Sequence, residues 1–131
     1  MKGNKNYLFL IGLTIVLSSC FMDLNQRRQE IYGPYYIAND PSSDCKTLVY
    51  EINNILDAER INCVEKAGQI NDYIIVETGG KFQYLKISED KPSDLGDPEV
   101  KNNISRPLNK AEFQKFLDSL KIKKFEFSYE R

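Results

Sequence analysis

The chain contains no histidine and no tryptophan. Without histidine, Ser-His-Asp and Cys-His catalysis in their usual forms are excluded, and so are imidazole-ligated zinc sites. Carboxylate pairs, a lysine-activated serine or a tyrosine are what remains for catalysis. Positive charge is not in excess: 18 Lys+Arg stand against 19 Asp+Glu. That balance leaves no electrostatic footprint for nucleic acid. Long apolar runs are missing too, since none approaches the roughly 20 residues a spanning helix needs. No internal repeats occur.

What is present begins at the N-terminus. Lys2 and Lys5 give a positive start, and the apolar stretch "YLFLIGLTIVLS" (7–18) follows. Its length suits the hydrophobic region of a signal peptide. "LSSC" (17–20) then resembles the lipobox of bacterial lipoproteins. The resemblance implies that the Cys20 thiol receives a diacylglyceryl group and that cleavage follows Ser19. It also implies acylation of the new amino terminus, palmitate being one such chain. Two or more acyl chains give stable anchoring where one holds only reversibly. The expectation is a membrane-anchored, extracytoplasmic lipoprotein of the bacterial cell envelope. Phe21 stands where an aspartate would favour the inner membrane, so the outer membrane is favoured if the organism has one. The expected organisation is a signal peptide over 1–19, a lipidated cysteine and tether over 20–29, and a single α+β domain over 30–131.

Removing residues 1–19 removes two lysines and no acids, leaving 16 Lys+Arg against 19 Asp+Glu, a net charge of −3. The remaining 112 residues suit one domain with a modest core. With Cys20 acylated, Cys45 and Cys63 remain. In an oxidising compartment they are a disulfide candidate. The alternative is two free thiols buried as small hydrophobes. Two thiolates are too few for a structural zinc site.

Along the chain, "EIYGPYYIAND" (30–40) predicts a strand interrupted at Gly33-Pro34. The turn cluster "NDPSSD" (39–44) and the β-branched "CKTLVYEIN" (45–53) complete a hairpin. "NILDAERINC" (54–63) fits a helical turn or an irregular link, and "INCVEKAGQI" (61–70) a short strand. "YIIVET" (73–78) reads as a central strand, hairpinned through "GG" (79–80) into the alternating "KFQYLKI" (81–87). A long polar loop is expected over 88–107. "LNKAEFQKFLDSL" (108–120) predicts a helix capped by Asn109, with Phe113, Phe116, Leu117 and Leu120 forming one apolar stripe. "IKKFEFSYE" (122–130) predicts a closing strand with Phe125, Phe127 and Tyr129 on one face. The expected fold is α+β: an antiparallel sheet of about five strands with one amphipathic helix packed on it near the C-terminus.

"INDYIIVETGGKFQYLKI" followed by "PLNKAEFQKFLDSLKI" resembles a family of short bacterial lipoproteins that share a domain of unknown function. The likeness spans roughly residues 30–122. Its motifs are packing motifs, so the resemblance implies a lipoprotein and a fold, and no activity.

Several side chains are candidate sites. Tyr32, Tyr35 and Tyr36 could stack a sugar ring or anchor a partner; the alternative is that two pack the core and one lies at an edge. Asp90, Asp94, Asp97 and Glu99 are a weak calcium candidate, without the spacing of an EF-hand. Lys121, Lys123 and Lys124 suit the negative end of the preceding helix. "NIS" (103–105) matches a glycosylation acceptor, a pattern without meaning behind a bacterial lipoprotein signal. No cofactor or metal is expected. The reading is a non-catalytic, lipid-anchored binding module, in one version an inhibitor or immunity-type lipoprotein. A small carboxylate-dependent hydrolase and a structural envelope component are the alternatives. The expected partners are the membrane, through acyl chains on Cys20, and a protein of the envelope.

Overall fold

The computed structural model describes residues 28–40 and 42–131. The expected signal peptide, Cys20 and Phe21 lie outside these residues. Within them the strands are β1 (Gln29–Tyr32), β2 (Tyr35–Asn39), β3 (Lys46–Ile52), β4 (Leu56–Ile61), β5 (Lys66–Ile70), β6 (Tyr73–Thr78), β7 (Lys81–Lys86) and β8 (Tyr129–Glu130). The α-helices are α1 (Pro98–Asn103) and α2 (Lys110–Ser119), and a 3-10 turn spans Ile87–Glu89.

The strands form two four-stranded antiparallel sheets, ordered β1-β2-β3-β4 and β7-β6-β5-β8. The α+β class and antiparallel pairing hold. One sheet of about five strands with one helix does not, for three local reasons. Gly33, at φ +53°, reverses the chain, so the interrupted strand is a hairpin of β1 and β2. Residues 56–61 form β4, reached through the three-residue link 53–55, in which Asn53 and Asn54 turn the chain at positive φ. The segment after α2 is not a long strand, and only Tyr129 and Glu130 pair, with Ala67 and Lys66 of β5.

The two sheets face each other across one core, in which Tyr35, Ile37, Leu48 and Ile61 meet Ala67, Ile74, Val76, Leu85 and Tyr129. The far face of the second sheet carries a second core, where Ile75 packs with Leu108, Phe113, Leu117 and Ile122. The molecule is therefore three-layered. Burial on both faces explains why Tyr73 to Val76 is an unbroken apolar run rather than an alternating one. The Gly79-Gly80 turn joins β6 to β7 at φ +57° and +75°.

Helix α2 starts as its sequence directs: the Asn109 side chain accepts from the Glu112 amide at 2.8 Å. Its aromatic residues stack on the sheet, Phe113 on Phe82 at 4.2 Å and Phe116 on Tyr84 at 3.9 Å between centroids. The expected polar loop over 88–107 contains α1, whose Asp97 side chain caps it by accepting from Glu99 N at 2.9 Å. Val100 is the one buried residue of this helix, and residues 104–108 bridge to the edge of β7 at Leu85 and Phe82. Phe125 and Phe127 lie in the second core while Tyr129 lies in the first, so these residues do not share a face. The chain crosses the sheet between them.

Cys45 and Cys63 form a disulfide. It ties the start of β3 to the end of β4, and the Val64 amide then donates to Lys46 O at 2.8 Å.

Candidate functional site

An ionic cluster lies inside the molecule. β4 has an irregular register against β3: Leu48 pairs with Ile61 and Val49 with Glu59, leaving Arg60 as an extra residue. Such a bulge re-aims a side chain. Here Arg60 and Ile61 are both buried, where simple alternation would expose one of them. The Arg60 Nε donates to Asp90 Oδ2 at 2.8 Å and its Nη2 to the Lys91 carbonyl at 2.9 Å. The Tyr35 hydroxyl donates to the same Asp90 oxygen at 2.7 Å. The Arg60 guanidinium sits 5.0 Å from the Tyr50 ring centre, and Tyr50 meets Tyr35 edge to face. The Arg60 and Asp90 side chains are 0% and 1% exposed. Burial raises the Tyr35 pKa, and the Asp90 carboxylate that accepts its hydrogen bond raises it further. The cluster is sealed. It fastens the segment after β7 to the first sheet.

The outer face of the first sheet is open. Cross-strand register lines up Glu30, Tyr36, Val49 and Glu59 in one row and Glu51 with Asp57 in the next. The Arg28 guanidinium lies 4.6 Å from the Tyr36 ring centre and donates to Asp57 at 2.8 Å and to Glu51 at 3.4 Å. Desolvation and the neighbouring Glu30 and Glu51 carboxylates raise the Tyr36 pKa, while Arg28 opposes them. Beside this row an open groove of about 290 Å³ is lined by residues that include Asn39, Asp40, Thr47, Asp57 and Glu59. The arrangement can present a half-buried aromatic ring framed by carboxylates to a basic surface.

The structure separates the three tyrosines singled out from the sequence. Tyr35 is buried in the core, Tyr36 lies on the outer face and Tyr32 is exposed at the β1–β2 turn. They form no common surface. The four acids also part company. Asp90 is committed to Arg60, and Asp94 accepts from the Gly96 amide at 2.8 Å. Asp97 and Glu99 both pair with Lys91, at 3.2 and 2.6 Å. Among the described residues no three histidine, cysteine or acidic side chains are grouped to hold a metal ion. Lys123 and Lys124 border a groove of about 380 Å³ beside α2, and Lys124 pairs with Glu126 at 3.0 Å.

Sequence reasoning missed Arg60 and the outer acidic row. Arg60 carries no signal, because a bulge is set by pairing and not by composition. The row was within reach: Glu51, Asp57 and Glu59 alternate along residues 51–59, as solvent-facing positions of two strands do.

No helix among the described residues is long and apolar enough to cross a membrane. No protein-family model, curated protein or solved structure matches the chain.

Proposed function

We propose that the protein is a lipid-anchored, extracytoplasmic interaction module of the bacterial envelope, held through acyl chains on Cys20 and without catalytic activity of its own. In its more specific form it is an inhibitor or immunity-type lipoprotein that covers a basic surface of an exported protein. The observation that carries this reading is the outer face of the first sheet, where Tyr36 lies among Glu30, Glu51, Asp57 and Glu59. An aromatic anchor within a charged rim is what binding energy concentrates on at protein interfaces. A strand face held by its neighbours presents these groups with little ordering left to do on binding. The lipobox supplies the location. Two of the four carboxylates, Glu51 and Asp57, share Arg28, which leaves the face acidic on balance, so the partner's contact surface is basic.

In-cell crosslinking of a tagged chain, with Cys20→Ser as the unanchored control, tests this. One stoichiometric protein partner is expected with both forms. Its recovery falls at least tenfold in a Tyr36→Ala/Glu59→Lys variant that keeps its thermal midpoint. Equal recovery with that variant, or no partner with either form, overturns the assignment.

A further inference from the structure

The exposed large apolar side chains among the described residues are Tyr32, Ile55 and Leu56, at 47%, 89% and 61% exposure. All three lie at one end of the first sheet, where the β1–β2 and β3–β4 turns are side by side. The Glu51 amide donates to the Pro34 carbonyl across them at 2.7 Å. Tyr32 is opposite Tyr35 and Leu56 is opposite Ile52. Strand alternation places Tyr35 and Ile52 on the face that elsewhere packs the core. That apolar face therefore runs on past the point where the second sheet covers it. The tip "INNIL" (52–56) carries no charge. The nearest acids, Glu51 and Asp57, are both answered by Arg28.

We propose that this end of the sheet seats in the surface of the bilayer that carries the anchor. The proposal rests on the lipid-anchor reading of Cys20. The tether length favours lipid as the occupant. Nine steps separate Cys20 from Gln29, a reach of about 30 Å. Gln29 is level with Leu48 through Ile37. Asn54 at the tip is six residues beyond Leu48, at most about 20 Å away. The tether is thus long enough to place Cys20 and the tip in one plane. Acylation makes the tip's contact intramolecular, so a small apolar patch suffices to hold it. Tyr32 has the amphipathic ring that favours the headgroup level, and Ile55 and Leu56 the aliphatic bulk that favours the layer beneath.

The absence of tryptophan provides the assay. Ile55→Trp and, as a control at the start of β7, Lys81→Trp each introduce a single indole into the full acylated chain. Each variant is reconstituted into phosphatidylethanolamine–phosphatidylglycerol vesicles with and without brominated acyl chains. The Ile55→Trp emission shifts to the blue and loses more than half its intensity to bromine, while the Lys81→Trp emission does neither. Unquenched Ile55→Trp emission from a chain that floats with the vesicles and shows acylation by mass overturns the seating and leaves the anchor standing. A chain without acylation that does not float removes the anchor and the seating with it. A blue shift that needs added envelope proteins and shows no bromine quenching gives the tip to a protein and overturns the lipid assignment.

Discussion

Taking a guanidinium out of water costs several kcal/mol even after the protein relaxes. Arg60 offsets that cost through Asp90, the Lys91 carbonyl and the Tyr50 ring. The balance holds only while both ions are present. Arg60→Met strands a buried carboxylate and is expected to cost about 3–5 kcal/mol in urea unfolding. Arg60→Met/Asp90→Asn removes the stranded charge, keeps an acceptor for Tyr35, and should recover most of the loss. A single substitution costing under about 1 kcal/mol would contradict the sealed geometry. Tyr35 gives the pH dependence. Burial and Asp90 raise its pKa above the ordinary 10.0, so the folded state favours the neutral phenol. Its stabilisation is whole below pH 10.0 and is lost as pH climbs above that value toward the raised one. Between about pH 10 and 11.5 the urea midpoint of the native chain therefore falls more steeply than that of Tyr35→Phe. Parallel slopes would show that the phenol is free to ionise in place.

Among the elements, the passage of the C-terminal segment over β5 depends on one missing side chain. A Cβ on Gly68 would lie 2.9 Å from the Phe125 ring, 3.2 Å from Glu126 O and 3.2 Å from Phe127 Cα. Two of those neighbours are backbone and cannot rotate away. Gly68→Ala is expected to destabilise by about 1–3 kcal/mol. It should also speed amide exchange at Ser128 and Arg131, which donate to Ala67 O and Glu65 O. Unchanged exchange there would mean that the segment has room to shift. Elements whose signals are local were legible in the sequence: the Gly79-Gly80 hairpin, the Asn109 cap and the apolar stripe of α2. Those decided by distant partners were not. β4 was obscured because its bulge sets Arg60 and Ile61 both inward and breaks alternation. The period of Phe125, Phe127 and Tyr129 reads as one strand face, yet the chain changes faces before Tyr129. The short helix α1 did announce itself in Asp97-Pro98, a cap followed by a first-turn proline, inside a stretch whose polarity reads as loop.

At the scale of the molecule, two sheets and a helix layer share a small chain, and the Cys45–Cys63 bridge braces the first sheet. It closes a loop with a sequence separation of 18 residues, worth about 3 kcal/mol in the chain-entropy model. Reduction and alkylation should lower unfolding stability by about that amount without dissolving either core. A circular dichroism spectrum that collapses on reduction at room temperature would show that the cores cannot stand alone. The Cys45–Cys63 bridge was a candidate in the sequence only once Cys20 was set aside for the anchor, with two free thiols as the alternative. The outer acidic row shows in the sequence only as the alternation of Glu51, Asp57 and Glu59; that these stand side by side follows from the pairing of β3 with β4.

The pairing of β5 with β8 also sets a clock. Lys66 and Glu130 are 64 residues apart, whereas β1 to β4 pair with immediate neighbours along the chain. A chain that emerges N-terminus first passes through an interval in which β5 is present and β8 is not. Throughout it β5 exists with one side of its hydrogen-bonding edge open. An open strand edge is a template for pairing with another chain. The nascent protein is thus most exposed to misassembly after its first sheet can close and before Tyr129 arrives, and a helper that binds extended polypeptide has its target there.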